Sequence, residues 1–266
     1  MEQVTVILPV YNEAGLISSV FNRIQDFLHK HDGYEFLFVN DGSTDATGDI
    51  LQDRIDRSEV GDRVSVVSLK ENVGKGVAVR EGVSLCDTEI VCFTDGDLAY
   101  SLDHVVRLVE ALEGSDVAIG SRSMVPLRQR NITLGRKIMG KVFNKVVRLI
   151  LGLPYKDTQA GIKGFRLETA RKIFSYQRLG GFAFDAELLF LAQRHGCRVI
   201  EIPASVSKSH SYKISKMNLW LEPMRMLKAL LHVRMNSLMG KYSHENTTEF
   251  RCGRVRHSGG VRTSDT

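Results

Sequence analysis

The chain has only four cysteines among its 266 residues, Cys86, Cys92, Cys197 and Cys252, and none forms a Cys-x-x-Cys pair. That spacing argues against a zinc site and leaves reduced thiols as the default. Cys92, inside an apolar run, reads as a small core hydrophobe. No uninterrupted apolar run approaches the roughly 20 residues that span a bilayer, and the start lacks a basic region followed by an apolar signal core. The expected location is therefore cytosolic. Acidic residues are missing from Ser121 to Arg148, where eight basic residues fall. No recognised nucleic-acid motif or interleaved aromatic pattern accompanies them, so nucleic acid ranks below an anionic membrane surface as a partner. Internal repeats are also absent.

What is present fits one folded domain. The length suffices to bury a large core, and 43% apolar content is ordinary for a globular protein. Charge is divided sharply: residues 1–120 carry 22 acidic against 9 basic side chains, residues 121–266 carry 9 against 27. The halves are thus about −13 and +18, a division that points to a partner of opposite charge for the basic half. Apolar runs near residues 3–9, 34–40, 64–69, 89–94 and 116–120 alternate with helical stretches, which predicts an α/β fold with a mostly parallel sheet. After Tyr242 the chain is rich in Ser, Thr, Gly and Arg, and residues 243–266 are expected to be a disordered tail.

Asp95-Gly96-Asp97 ends the run Ile90-Val91-Cys92-Phe93 and sets two carboxylates two residues apart, so a strand's period aims both the same way. At the carboxyl end of a parallel strand such a pair can hold a hard divalent cation against a diphosphate. Alone, an Asp-x-Asp is more often a polar turn. Three further segments reverse that balance. Val4-Thr5-Val6-Ile7-Leu8-Pro9-Val10-Tyr11-Asn12-Glu13 reads as a strand, a loop and then a helix from about Glu13 to Lys30. Phe36-Leu37-Phe38-Val39 runs into Asn40-Asp41-Gly42-Ser43-Thr44-Asp45, which places acidic and hydroxyl groups on the same crevice edge. Asn72-Val73-Gly74-Lys75-Gly76 precedes a helix, where glycines admit a ligand and the helix start favours anions. Its glycine spacing and the missing Ser/Thr after Lys75 exclude a Walker loop, and the missing third glycine weakens a dinucleotide fingerprint. Asp45 has a second reading as a helix cap.

In this order and spacing the four segments resemble the family 2 glycosyltransferases of GT-A fold. The resemblance implies that Pro9, Tyr11, Glu13 and Asp41 line a nucleotide pocket with Lys75, while Asp95 and Asp97 hold Mg²⁺ or Mn²⁺ and the sugar diphosphate. An acidic pocket repels a nucleotide diphosphate, so the metal is electrostatically required. Gly120-Ser121-Arg122, Asp157-Thr158-Gln159-Ala160-Gly161-Ile162-Lys163-Gly164-Phe165-Arg166, Phe182-Ala183-Phe184-Asp185-Ala186-Glu187 and Ser215-Lys216-Met217-Asn218-Leu219 look like the dolichyl-phosphate β-glucosyltransferase branch, with dolichyl-phosphate mannose synthases as nearest relatives. The resemblance covers about residues 2–242, with residues 1–120 as the nucleotide-sugar and metal half and 121–242 as the acceptor and membrane-facing half. Ala99 stands where mannose synthases carry glutamine, and His210 where they carry an arginine; both departures favour the glucosyl branch.

The expected activity is inverting transfer of a hexose, glucose from UDP-glucose, to a polyprenyl phosphate. The alternatives are a GDP-mannose-dependent synthase, a family 2 transferase with another glycan acceptor, and a nucleotide-sugar-binding membrane tether without catalysis. Arg122 and Lys216, with His210, are expected to hold phosphate charge, and Arg128, Arg130 and Arg136 to guide the lipid phosphate. Asp157 and Asp185 are candidates for sugar hydroxyl contacts or for a catalytic base, and equally for carboxylates paired with Lys163, Arg166 or backbone amides.

Two amphipathic stretches fit peripheral association on the cytoplasmic side of a membrane. In the first, Lys137, Lys141, Asn144, Lys145 and Arg148 form a stripe opposite Ile138, Met139, Val142, Phe143, Val146, Leu149 and Ile150. In the second, from about Glu222 to Gly240, Arg225, Lys228, His232 and Asn236 make a narrow polar stripe among apolar residues. Each equally fits a core-packed helix with a solvated basic face. Trp220 is either a headgroup-level anchor or a core residue. A homo-oligomer or a membrane-protein partner stays open.

Overall fold

A computed structural model describes residues 2–126, 144–181, 183–207 and 221–243. The elements run β1 (Val4–Val10), α1 (Ala14–Leu28), β2 (Tyr34–Asn40), α2 (Thr47–Asp56), β3 (Val64–Ser68), α3 (Lys75–Leu85), β4 (Ile90–Thr94), α4 (Asp103–Ala111) and β5 (Val117–Ser121). Then follow α5 (residues 144–151), β6 (Ile162–Arg166), α6 (Leu167–Tyr176), α7 (Phe184–Arg194), β7 (Val199–Pro203) and α8 (Leu221–Leu238). The strands form one seven-stranded sheet of order β3-β2-β1-β4-β6-β5-β7, to which both halves of the chain contribute.

Every strand is parallel to its neighbours except β6, which is antiparallel to both β4 and β5. The interior strands read as continuous apolar runs because helices cover both faces. Along β1, Ile7 joins the core under α3, α6 and α7, while Val4, Val6, Leu8 and Val10 join the opposite core under α1, α2 and α4. Helix α1 turns Ile17, Val20, Phe21, Ile24, Phe27 and Leu28 to that second core, at the three- and four-residue spacing of a helix face.

Register positions the site. Val10 of β1 pairs with Asn40 of β2, and Ile7 with Phe93 of β4, so the three strands end side by side. Chain order reverses direction across the sheet between β1 and β4, the switch point where open α/β sheets bind ligands. Antiparallel β6 starts where β4 stops, with Ile162 opposite Thr94, which brings residues 157–161 to the same edge.

The five expected strands and the first and last helices form close to their expected bounds; β6, β7, α6 and α7 are additional. Three positions of the amphipathic stretches stand out. Leu149 is 83% exposed, whereas Ile150 of the same apolar pattern packs partly buried against the core, beside the buried Val147. Asn144 is not simply part of a surface stripe: its Oδ1 accepts from Thr158 N at 3.0 Å and Oγ1 at 2.7 Å, and its Nδ2 donates to Lys156 O at 2.7 Å. Asn236, assigned to the polar stripe of α8, is only 3% exposed. Among the described residues no helix is long and apolar enough to cross a membrane.

Candidate active site

A crevice of about 490 Å³ opens at the carboxyl ends of β1, β2 and β4, lined by Pro9, Tyr11, Glu13, Asp41, Lys75, Asp95 and Asp97 among others. Seven side chains expected in one pocket from four separate segments thus meet there. Arg122 does not line it, Lys216 and His210 lie outside the described residues, and so do Arg128, Arg130, Arg136 and Trp220.

The loops that supply these residues are tied to one another. Asn12, in the left-handed region at φ 51°, accepts on Oδ1 from Thr44 N at 2.8 Å, and its own N donates to Ser43 Oγ at 2.9 Å. Asp45 accepts from Ala14 N at 3.2 Å and from Thr47 N at 3.0 Å, so it caps the starts of α1 and α2. Its pKa is lowered, first by the Thr47 hydroxyl. Asp41 is buried, and its two oxygens accept from Val73 N at 2.8 Å and Gly74 N at 2.9 Å, which holds the Asn72-Val73-Gly74 loop against the crevice. Gly74, at φ 94°, has no room for a side chain: a Cβ would lie 2.7 Å from Gly180 O.

Asp95 and Asp97 flank a tight turn whose buried Leu98 sits at φ 51°, a left-handed conformation that costs a leucine energy and that recurs at functional sites. Leu98 N donates to Asp95 O at 2.9 Å, and Ala99 N to Asp97 Oδ1 at 3.0 Å. Lys75 Nζ lies 2.5 Å from Asp95 Oδ1. Burial alone would lower the pKa of Lys75, but Asp95, with Asp185 and Asp97 behind it, outweighs burial and raises it.

The residues present fit a divalent cation. Two carboxylates offer hard oxygen donors, one already carries a cationic ammonium as a stand-in, and a Cβ on Gly161 would lie 2.4 Å from Asp95 Oδ2. No group of three or more acidic, His or Cys ligands occurs among the described residues. That suits Mg²⁺ or Mn²⁺, which bind through one or two carboxylates and complete their shell with substrate phosphates and water. Gly161 is the site residue that sequence reasoning misses, since nothing local to it signals that it abuts Asp95.

Both candidate catalytic carboxylates are paired with cations. Asp157 takes Arg122 in a bidentate grip, Nε to Oδ2 at 2.7 Å and Nη2 to Oδ1 at 2.9 Å, and also accepts from Arg122 N at 3.0 Å and Gln159 N at 3.2 Å. Desolvation would raise its pKa, but Arg122 and the backbone donors hold it below the ordinary carboxylate value. Asp185 accepts from Lys163 Nζ, whose other partner is Ala160 O at 2.8 Å. Lys163 is 1% exposed, and its burial pushes the ammonium pKa down against the pull of Asp185. The structural pairing foreseen for Lys163 is therefore the arrangement found, and Arg122 rather than Arg166 holds Asp157.

Residues 5–174 match the model of the glycosyl transferase family 2. The chain belongs to that family and is a glycosyltransferase. It is 31% identical over 258 residues to a dolichyl-phosphate beta-glucosyltransferase of Saccharomyces cerevisiae, covering 90% of this chain and 76% of that protein. It is 28% identical over 250 residues to the protein of the same name from Dictyostelium discoideum, covering 89% and 75%. A polyprenol monophosphomannose synthase of Mycolicibacterium smegmatis is 30% identical over 227 residues, covering 82% of each. In fold the transferase is similar to glucosyl-3-phosphoglycerate synthase from Mycobacterium tuberculosis in complex with UDP, at TM-score 0.61 and 20% identity over 88% of this chain and 79% of that one. The same synthase has been solved with Mn²⁺ and UDP-glucose, at TM-score 0.60 over 90% and 79%.

Proposed function

We propose that this transferase moves glucose from UDP-glucose to the phosphate of a polyprenyl lipid, with inversion at the anomeric carbon. The observation that carries this reading is the convergence of Pro9, Tyr11, Glu13, Asp41, Lys75, Asp95 and Asp97 on one crevice in a chain whose relatives include dolichyl-phosphate beta-glucosyltransferases. Asp95 and Asp97 would hold Mg²⁺ or Mn²⁺, which supplies positive charge for the diphosphate as it leaves. Lys75 stands at the same edge to take phosphate charge once Asp95 is engaged.

A lipid phosphate oxygen attacks the anomeric carbon as the bond from that carbon to the UDP oxygen breaks, so UDP leaves and a β-linked lipid-phosphate sugar forms. A phosphate monoester, with a second pKa near 6, is already an anion near neutral pH, and no side chain need remove a proton from it. Positioning and electrostatics therefore dominate the rate. Asp157 and Asp185 act in this scheme by aiming Arg122 and Lys163, not as bases. His210 and Lys216 are assigned to phosphate; Ser207, three residues before His210 in sequence, donates from its N to Ala99 O at 2.9 Å. Arg128, Arg130 and Arg136 are assigned to guiding the lipid phosphate, and the protein to peripheral contact with the cytoplasmic face of a membrane.

A second reading is GDP-mannose as donor, favoured by the similarity to a polyprenol monophosphomannose synthase. Radiolabelled UDP-glucose and GDP-mannose, each offered with polyprenyl phosphate, separate the two by the label recovered in organic extract. Label from GDP-mannose alone would overturn the glucosyl reading.

A further inference from the structure

A second cleft, of about 480 Å³, lies between α8 and the turn at residues 177–181. Among the described residues its charged lining is basic: Arg178, Arg225, Lys228 and Lys241, with His232 beside them. Behind the turn, the buried Glu187 accepts from Leu179 N at 2.8 Å, Arg178 N at 3.1 Å and Tyr242 Oη at 2.6 Å, so it is turned inward. The cleft shares no lining residue with the donor crevice, yet only one turn separates them, for Gly180 O accepts from Gly76 N at 2.7 Å.

Two further observations define a ligand. Asn236 lines this cleft while only 3% exposed, and its Oδ1 has no hydrogen-bond partner. A buried acceptor of that kind calls for a donor from the occupant. Beside the basic positions, Met224, Leu231, Met235 and Leu238 of α8 are each at least half exposed. At 100° per residue they form a stripe next to Arg225, Lys228 and His232, whereas Met226, Leu230 and Val233 face the core. An anion alone has no use for that stripe; an amphiphile has.

We propose that this cleft is a second anion site, separate from the reacting centre, which seats the phosphate of a hydroxyl-bearing membrane phospholipid while its acyl chains meet the apolar stripe of α8. Lys228 and Lys241 take the phosphate, and a headgroup hydroxyl donates to Asn236 Oδ1. The assignment does not depend on which sugar is transferred.

The test uses the full chain, phosphatidylglycerol vesicles, neutral phosphatidylcholine vesicles and inorganic phosphate. Charge reversal at Lys228→Glu with Lys241→Glu is compared with Lys30→Glu plus Lys172→Glu, which changes net charge equally at exposed positions away from the cleft. The cleft pair is expected to weaken binding to phosphatidylglycerol vesicles at least about tenfold, and the control pair less than about twofold. Inorganic phosphate is expected to shift the amide resonances of Lys228, Ala229 and Lys241 but to bind at least about tenfold more weakly than vesicles do. Equal losses from both pairs would mean diffuse surface charge and overturn the site. Phosphate binding as tightly as the vesicles would assign the cleft to a soluble anion and overturn the lipid. If the reversed pair fails to fold, Lys228→Gln with Lys241→Gln gives the same comparison.

Discussion

Lys75 Nζ and Asp95 Oδ1 stand 2.5 Å apart, with the Phe93 and Phe184 ring centres 5.9 and 5.7 Å from the ammonium. A carboxylate so engaged attracts a divalent cation less than a bare one, so lysine and metal compete for Asp95. Donor phosphates would relieve that competition by offering the ammonium a new partner. On the proposed reading Lys75 would be both a brake on metal binding without donor and a phosphate ligand with it.

Lys75→Met keeps the apolar stem and removes the charge. Mn²⁺ should then bind about tenfold more tightly without nucleotide, read from free Mn²⁺ by electron paramagnetic resonance, while kcat/KM for the donor falls. Tenfold is about 1.4 kcal/mol, well within the roughly 4 kcal/mol of a close pair at an effective dielectric near 20. Unchanged Mn²⁺ affinity would remove Lys75 from the metal site.

Asp97→Asn should lower turnover at least about 100-fold, a loss of about 2.7 kcal/mol of transition-state stabilisation. EDTA should abolish turnover of the unaltered protein, and added Mn²⁺ or Mg²⁺ should restore it. Full turnover in metal-free buffer would overturn the role given to both carboxylates.

The crevice at the ends of β1, β2 and β4 is legible in the sequence because each of its loops sits at the end of an apolar run and carries its own polar signature. Pro9 to Glu13, Asp41 to Asp45 and Asp95 to Asp97 can be placed on one sheet edge without knowing the rest of the fold. The second half is harder to read, for physical reasons. Strand β6, Ile162–Arg166, holds a fully buried lysine whose partner Asp185 lies in helix α7, so the segment lacks the apolar pattern of a buried strand. Its antiparallel direction, which carries Gly161 to Asp95, depends on pairing between segments remote in sequence. On α8, Asn236 follows the helical period of the basic stripe but is buried near Tyr242, which the period alone does not reveal.

Asp157 links the site to acid stability. Arg122 and backbone donors lower its pKa in the folded protein, so the folded state binds its proton less readily than the unfolded chain does. The stabilisation is complete above the unfolded value, near 3.9, and is lost as pH falls through the lower folded value. Urea unfolding between neutral pH and pH of about 3 should show a decline in stability that Asp157→Asn reduces. The variant should also be less stable at neutral pH, where it lacks the bidentate pair. An identical acid slope in both proteins would mean that Asp157 contributes no linkage.

Lys163 and Asp185 form a pair that is buried on both sides, and Phe93 lies 5.6 Å from the ammonium. Asp185→Asn leaves that ammonium with Ala160 O and no directly paired carboxylate, and should cost about 3–5 kcal/mol in urea unfolding. Lys163→Met should cost a similar amount by stranding the carboxylate. The double variant removes both charges, and because an apolar replacement of a buried pair is often neutral, it should regain most of the loss, with a coupling of about 2 kcal/mol or more. Turnover separates positioning from chemistry. If Asp185 only organises the wall behind Lys75 and Asp95, turnover should return with the fold in the double variant, since the lipid phosphate needs no base. A stably folded double variant without turnover would instead give Asp185 a direct part in the transfer.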